Sequence, residues 1–291
     1  MSGKKTAIIF GSAGQDGFYL KNILSKNNIN TIGISRSEGD IIGSVGEMSL
    51  VSSVLSKFRP DYIFHLAAIS STKEEFNTAN FFSIEVGTFN ILETVRKLNL
   101  SARVFISGSA FQFKNLNKPI NELTPLQSDD FYSFSRNQSL EMARYFRDKY
   151  EQKIYFGFLF NHDSPRRPDT FFCKKMSNLA QNYANKNLRE KTFVGDLSYS
   201  REFSFAGDIM EAVFKLISQE KVYEAVVGSG LAFSLKDWVS ACFHRHSMDF
   251  ENFIDYEFND NGHVLVSSPI VMKSLGWTPH YDFEAVVELM C

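Results

Sequence analysis

The sequence predicts an α/β protein, a doubly wound parallel sheet followed by a smaller mixed α/β lobe. Three observations carry this. Over the first 160 residues short apolar runs alternate with amphipathic stretches, a glycine-rich segment joins the first run to the first stretch, and beyond residue 160 the rhythm breaks. Strand, helix, strand in repetition implies parallel pairing through right-handed crossovers.

The strand-length runs are TAIIF (6–10), INTIGI (29–34), DYIFHLAAI (61–69), RVFISG (103–108) and KIYFGFLF (153–160). They are β-branched or aromatic and lack polar alternation, as expected of strands buried on both faces. FYLKNILSK, MSLVSSVLSKF, FNILETVRKL and LEMARYFRDKY set apolar residues at helical spacing between them. After 160 come a Pro/Arg-rich turn, NHDSPRRPD, a helix over about 170–188, a short strand and a helix over about 206–218. VYEAVVGSG reads as a strand returning to the sheet, SLKDWVSACFHRH as a helix opened by a serine cap, and the tail as a short helix ending in LGWTP. The expected division is 1–160 and 161–291, with about 202–230 rejoining the first sheet.

Between the first strand and its helix stands GSAGQDG, with Gly11, Gly14 and Gly17 at G-x-x-G-x-x-G spacing. Missing side chains let a pyrophosphate reach the helix amino end, where free N–H groups and the dipole favour an anion. Strand, glycines and helix in that order mark a Rossmann-type dinucleotide site. At the end of the second strand, where a carboxylate would bind an adenosine ribose, stands Arg36 between serines. That favours a 2′-phosphate and hence NADP(H); the plain alternative is a solvated arginine.

Composition narrows the function. Hydrophobic residues make up 44% of 291, and 31 basic against 33 acidic residues give a net charge of −2. A nucleic-acid-coating protein would need a basic stripe. Three cysteines, Cys173, Cys242 and Cys291, form no CxxC pair, so neither a disulfide framework nor a zinc site is indicated and a reducing cytoplasm fits. No run nears the roughly 18 apolar residues of a membrane helix, and the amino-terminal run is too short for a signal peptide. His244 and His246 in HRH read as solvated, Trp238 and Trp277 as core.

In FYSFSRNQ, Tyr132 and Arg136 lie four positions apart, one helical turn, so their tips share a face. Spacing alone does not make this a proton-transfer pair. Its surroundings decide.

GSAGQDGFYL, FRPDYIFHLAAISS, VGTFNILETV, INELTP, FNHDSPRRPDTF and LGWTP together resemble the extended short-chain dehydrogenase/reductases, over about residues 5–280. Within them the chain is most similar to the GDP-mannose 4,6-dehydratases and next to the GDP-4-keto-6-deoxymannose reductases. The resemblance implies a Tyr-x-x-x-Lys helix in which the phenol moves a proton at the sugar and the lysine binds nicotinamide ribose. Tyr132 matches the tyrosine, and Arg136 stands where lysine belongs. Arginine keeps the charge but is larger, planar and never deprotonated. The resemblance further implies that Gln15, Asp16, Leu66, Ala67, Ala68, Ser70, His162 and Arg167 contact cofactor, and that Asn161, Lys175 and Arg201 hold the substrate diphosphate.

Two departures bear on the chemistry. The family's sugar-binding hydroxyl falls at Gly108, flanked by Ser107 and Ser109, and the dehydratases' acid/base glutamate falls at Ala110. Their adenine-contacting Asp falls at Ser44, and their carboxy-terminal Arg-x-x-Glu near Phe258 and Asn261. The implied activity is NADP-dependent reduction or oxidation at C4 of a nucleotide-linked hexose, with Tyr132 as acid/base and Ser107 or Ser109 assisting. The alternatives are a 4,6-dehydratase with a substituted acid/base such as Glu85, or a dinucleotide-binding protein that has lost catalysis. Relatives assemble as homodimers or homotetramers through a four-helix contact, for which Phe89, Leu92, Leu140 and Phe146 are the candidate apolar positions.

Overall fold

The computed structural model describes residues 4–186, 188, 190–259 and 262–291. Asn261, one of the two positions expected to replace the Arg-x-x-Glu pair, lies outside them.

Seven parallel strands form the main sheet. In chain order they and their helices are β1 (Thr6–Phe10), α1 (Gln15–Lys26), β2 (Asn30–Ser35), β3 (Ile41–Ile42), α2 (Met48–Phe58), β4 (Tyr62–His65), α3 (Asn77–Asn80), α4 (Gly87–Lys97), β5 (Arg103–Ser109), α5 (Phe131–Tyr150) and β6 (Ile154–Leu159). The carboxy-terminal part adds β7 (His162–Asp163), α6 (Phe172–Ala184), β8 (Thr192–Asp196), β9 (Ser200–Arg201), β10 (Ser204–Phe205), α7 (Ala206–Ile217) and β11 (Glu224–Val227). It ends with β12 (Phe233–Ser234), α8 (Leu235–His244), β13 (Ile254–Glu257), β14 (Val264–Leu265), α9 (Ile270–Ser274) and α10 (Phe283–Met290). The sheet order is β11-β6-β5-β4-β1-β2-β3, so VYEAVVGSG supplies the last strand, parallel to β6. The order reverses at β1, whose neighbours are β4 and β2. Ligands of open α/β sheets bind at the carboxyl ends beside that reversal.

The strands carry no polar face because each face has its own core. Ile8, Phe10, Ile63, Val104, Ile106, Ile154 and Phe156 pack with α2, α4 and α5. The alternate residues Ala7, Ile9, Tyr62, Phe64, Phe105 and Tyr155 pack with α1, α7 and α9. A period of two thus divides one apolar run between two helix layers. A third core, with Trp238, Phe203, Met176 and Val286, holds α6, α8 and α10 together. Trp277 belongs to the α1/α7 core.

The helix before β5 is less regular than its sequence suggests. Glu74–Phe76 is a 3₁₀ turn, α3 follows, and Phe81–Val86 form a π-helical segment leading into α4. π turns often mark functional regions. Here Asn80, fully buried, donates to Ser71 O (3.1 Å) and accepts from Ile69 N (3.2 Å), clipping down the loop after β4. That loop corrects the expected nine-residue strand: β4 ends at His65.

Two carboxylates, Glu122 half-buried and Glu202 fully buried, tie distant segments to the sheet. Glu122 accepts from Val226 N at 2.8 Å, occupying an amide of the edge strand. Glu202 accepts backbone N–H groups from Ser229 (2.6 Å), Gly230 (3.2 Å) and Ser267 (2.6 Å). Ser234 caps α8 as expected, accepting from Asp237 N at 3.0 Å. His244 is exposed, whereas His246 is half-buried with Nε2 unpartnered, correcting the solvated reading of the second ring. No helix among the described residues is long and apolar enough to cross a membrane.

Candidate active site

Two adjoining cavities open at the carboxyl ends of the strands, both with Leu66 in their walls. The first, about 360 Å³, lies over β1, β2 and β4. Its walls include Gly11, Gly14, Arg36, Ser44, Ala67 and Ala68, where the sequence placed the dinucleotide's adenosine half. Gly11 has φ +91°, and a Cβ there would approach Ala67 N to 2.7 Å. Gly17 is needed for packing: a Cβ would lie 2.6 Å from Gly11 O. No side chain caps α1, so its first-turn amides lack a side-chain acceptor beside the cavity wall formed by Gly11, Ala13 and Gly14. Arg36 is exposed on the wall and has no ion-pair partner among the described residues. Of the carboxylates that follow, Glu38 is exposed and Asp40 is engaged with Gly33 N (2.7 Å) and Lys21 (3.7 Å). These residues fit a dinucleotide carrying a 2′-phosphate.

The second cavity, about 340 Å³, lies over β5, β6 and β7. Ser70, Ser107, Ser109, Ala110, Tyr132, Arg136, Asn161, His162, Arg167 and Arg201 all line it, as does Asp16. Tyr132 sits in the first turn of α5, fixed by a reciprocal cap in which Ser133 N donates to Asp130 (2.7 Å) and Asp130 N to Ser133 Oγ (3.2 Å). Its hydroxyl has no hydrogen-bond partner among the described residues. Arg136 is 3% exposed, its guanidinium carbon 5.2 Å from the Tyr132 ring centroid. One terminal nitrogen donates to the Ser107 carbonyl and to Ser107 Oγ (3.0 Å), while Nε has no partner.

That arrangement separates the two serines. Ser107 Oγ donates to His65 O (3.0 Å) and accepts from Arg136, so its proton is taken. Ser109 Oγ accepts from Phe111 N (3.3 Å) and keeps a free proton. Gly108 leaves room for the Gln112 side chain, which accepts from Ser109 N (2.8 Å) and donates to Asn137 (3.0 Å). His65 lies behind Ser107, pushed down to about 3 by burial and by the Arg136 charge, and is therefore a neutral ring.

The two family-like motifs meet each other across the second cavity. Gln15 Oε1 accepts from Ser164 Oγ (2.8 Å), and Asp16 Oδ1 lies 3.0 Å from His162 Nε2. His162 Nδ1 is 2.7 Å from Phe160 O. A carbonyl and a carboxylate can only accept, so the ring carries both protons. Burial opposes both charges, yet their mutual attraction prevails. Asp16 is lowered to about 2, and His162 is raised. Arg167 donates to Asp163 (2.7 Å) and His162 O (3.1 Å).

Lys175, expected at the substrate diphosphate, is not in the wall: it lies exposed in the first turn of α6. Arg201 is in the wall, with Nε unpartnered and one terminal nitrogen 3.3 Å from the Cys173 sulfur. Asn161 Oδ1 is also buried and unpartnered. Three orphaned polar atoms around one cavity, Arg136 Nε among them, suit a polar ligand. Sequence reasoning missed Lys73, Phe111, Phe171 and Phe172, which also line it. Only Lys73 carried a signal, being close behind a strand's carboxyl end.

The geometry defines a Rossmann-type fold whose dinucleotide groove runs into a cation-lined pocket carrying a tyrosine. A profile of the GDP-mannose 4,6 dehydratases matches residues 8–290, and the chain belongs to that family. It is 24% identical to GDP-mannose 4,6 dehydratase 1 of Arabidopsis thaliana over 99% of this chain and 89% of the relative. It is 25% identical to GDP-mannose 4,6-dehydratase of Vibrio cholerae over 85% of this chain and 74% of the relative. Among solved structures, RMD from Pseudomonas aeruginosa complexed with NADPH superposes with a TM-score of 0.87 at 16% identity, covering 98% of this chain and 97% of that one. The dTDP-glucose 4,6-dehydratase of Bacillus anthracis in complex with NAD gives 0.84 at 17% identity, covering 98% and 95%. The chain is thus an enzyme of nucleotide-sugar metabolism by family.

Proposed function

We propose that the chain uses NADP(H) to reduce a ketone or oxidise a hydroxyl at C4 of a nucleotide-linked hexose. Bound cofactor supplies or takes the hydride. Residues 1–160 hold it, with Gly11 and Gly14 at the pyrophosphate, Arg36 at the 2′-phosphate, and Arg136 Nε toward the nicotinamide ribose. Tyr132 exchanges a proton at the C4 oxygen, Ser109 donates to that oxygen, and Arg201 with Asn161 binds the diphosphate.

One observation carries the choice of redox over elimination. Dehydration across C5 and C6 needs a group that removes the C5 proton and protonates the leaving hydroxyl. Ala110 stands at the family's position for it, and the carboxylates in the cavity wall, Asp16 and Asp163, are engaged by His162 and Arg167. Glu85 is not in the wall; it accepts from Ser135 Oγ at 2.6 Å. The family match favours a second reading, a complete 4,6-dehydratase, in which the hydride taken from C4 in the first step is returned to C6 in the last.

The test supplies GDP-mannose with catalytic NADP⁺ in one vessel and a GDP-4-keto-6-deoxyhexose with NADPH in another. Stoichiometric loss of NADPH in the second, with no 4-keto product in the first, supports the redox reading. A 4-keto-6-deoxy product without net cofactor consumption replaces it by the dehydratase.

The partner implied is a nucleotide sugar. A homodimer through α4 and α5 is the assembly we infer, on the apolar surface those helices leave exposed at Phe89 and Tyr145.

A further inference from the structure

Gln15 and Asp16 were expected to touch cofactor, yet their polar groups are spent on the opposite wall. Gln15 is 8% exposed and bonds Ser164, which is fully buried; Asp16 bonds His162. Both are in the first turn of α1, directly behind the glycines that receive the pyrophosphate. Their partners lie in the turn that carries Asn161 and Arg167 and leads to Phe171 and Phe172, which form much of the second cavity's wall. The two motifs are 146 residues apart in sequence and come from different parts of the chain.

We infer that Gln15 and Asp16 form a latch that transmits the ordering of the glycine loop by cofactor to the 160–172 wall of the sugar cavity, so that the substrate site is completed only after the dinucleotide is seated. This rests on the cofactor reading above. The physical basis is that Asp16 and His162 interact as ions through a part-buried contact, where attraction is little screened. Anything that fixes α1's first turn therefore restricts His162 as well. Conversely, a loose glycine loop leaves the wall free to relax. Gln15 and Asp16 are positioning residues, acting through His162 and Ser164.

Hydrogen exchange of the full chain, with and without NADPH, tests this. In the wild type NADPH is expected to slow exchange about fivefold or more over both 11–20 and 160–172. In Asp16→Asn and in Ser164→Ala, 11–20 should remain protected while 160–172 returns to the rate of the free protein. The two variants cut the latch from opposite sides, and unchanged exchange in α8 controls for folding. Equal NADPH protection of 160–172 in wild type and both variants would overturn the latch, since direct contact with cofactor would then suffice. Absence of protection at 11–20 in the wild type would overturn the cofactor reading itself, and the latch with it.

Discussion

Arg136 stands where the family resemblance expects a lysine, and its contact with Ser107 explains why such an exchange bears on more than one residue. A guanidinium is forked, so it can bind the Ser107 carbonyl and hydroxyl from one nitrogen and still leave Nε without a partner. Ser107 is consumed by that contact, which leaves Ser109 as the serine with a proton to give. Removing the phenol by Tyr132→Phe should lower kcat for 4-keto reduction by about 10²–10⁴-fold, with NADPH affinity, read by fluorescence titration, nearly unchanged. Ser109→Ala should cost less than Tyr132→Phe, whereas Ser107→Ala should act mainly through Arg136 and raise the KM for cofactor. Installing the missing carboxylate by Ala110→Glu should let GDP-mannose yield some 4-keto-6-deoxy product, detectable by mass spectrometry. The Asp16–His162 pair sets a pH window. Asp16, lowered to about 2 from 3.8, contributes stability that is present above 3.8 and lost as pH falls through 2. His162, raised above 6.5, contributes stability that is full below 6.5 and lost as pH rises through its folded value. The difference in unfolding free energy between wild type and Asp16→Asn should therefore peak between pH 3.8 and 6.5, at about 2 kcal/mol, and shrink on either side. Denaturant titrations across pH read this directly.

At the scale of elements, β5 illustrates how neighbouring substitutions depend on one another. A Cβ at Gly108 would overlap the Phe156 ring and come within 2.6 Å of Gln112 Oε1. Restoring the family's hydroxyl by Gly108→Ser should therefore destabilise by about 1–3 kcal/mol in urea unfolding. Adding Gln112→Ala should recover only part of this, since the Phe156 clash remains. The main strands were legible because double burial imposes continuous apolar runs, and the glycine loop because its backbone requirements are local. Many of the candidate site residues named by motif line one cavity, but their mutual contact was not legible: nothing in a single sequence links Gln15 to Ser164. The π segment, the two-residue strands and the eight-residue α10 escaped notice because so few residues repeat a pattern too few times to stand out. Lys175, assigned by family resemblance, lies outside the cavity wall on the exposed side of α6, because a match in sequence does not say which side of a helix meets the cavity. Leu92 and Leu140, offered as contact positions, face the sheet and are fully buried, and Phe146 is 5% exposed; of the four, Phe89 points outward.

For the whole molecule the exposed aromatic surface is the main unfinished feature. Phe81, Phe82, Phe89, Phe134, Tyr145 and Tyr150 are each more than a third exposed, all on the segments that run from the π turn through α4 and α5. Apolar surface gathered on one side is typical of an interface. The Tyr145→Arg variant should shift the mass measured by light scattering to that of a monomer while leaving the near-ultraviolet circular dichroism intact. Because α5 also carries Tyr132 and Arg136, loss of the partner should weaken cofactor binding severalfold as well.

Glu202 has a bearing on how the polypeptide is made. Its carboxylate is satisfied by amides of Ser229, Gly230 and Ser267, and the last of these leaves the ribosome long after β6 and α7 have been synthesised. Until then a buried acid lacks one of its three amide donors, and the turn after β11 is tied less firmly. A stop codon ahead of residue 267 should therefore yield a chain that is cleared by proteolysis rather than a trimmed enzyme.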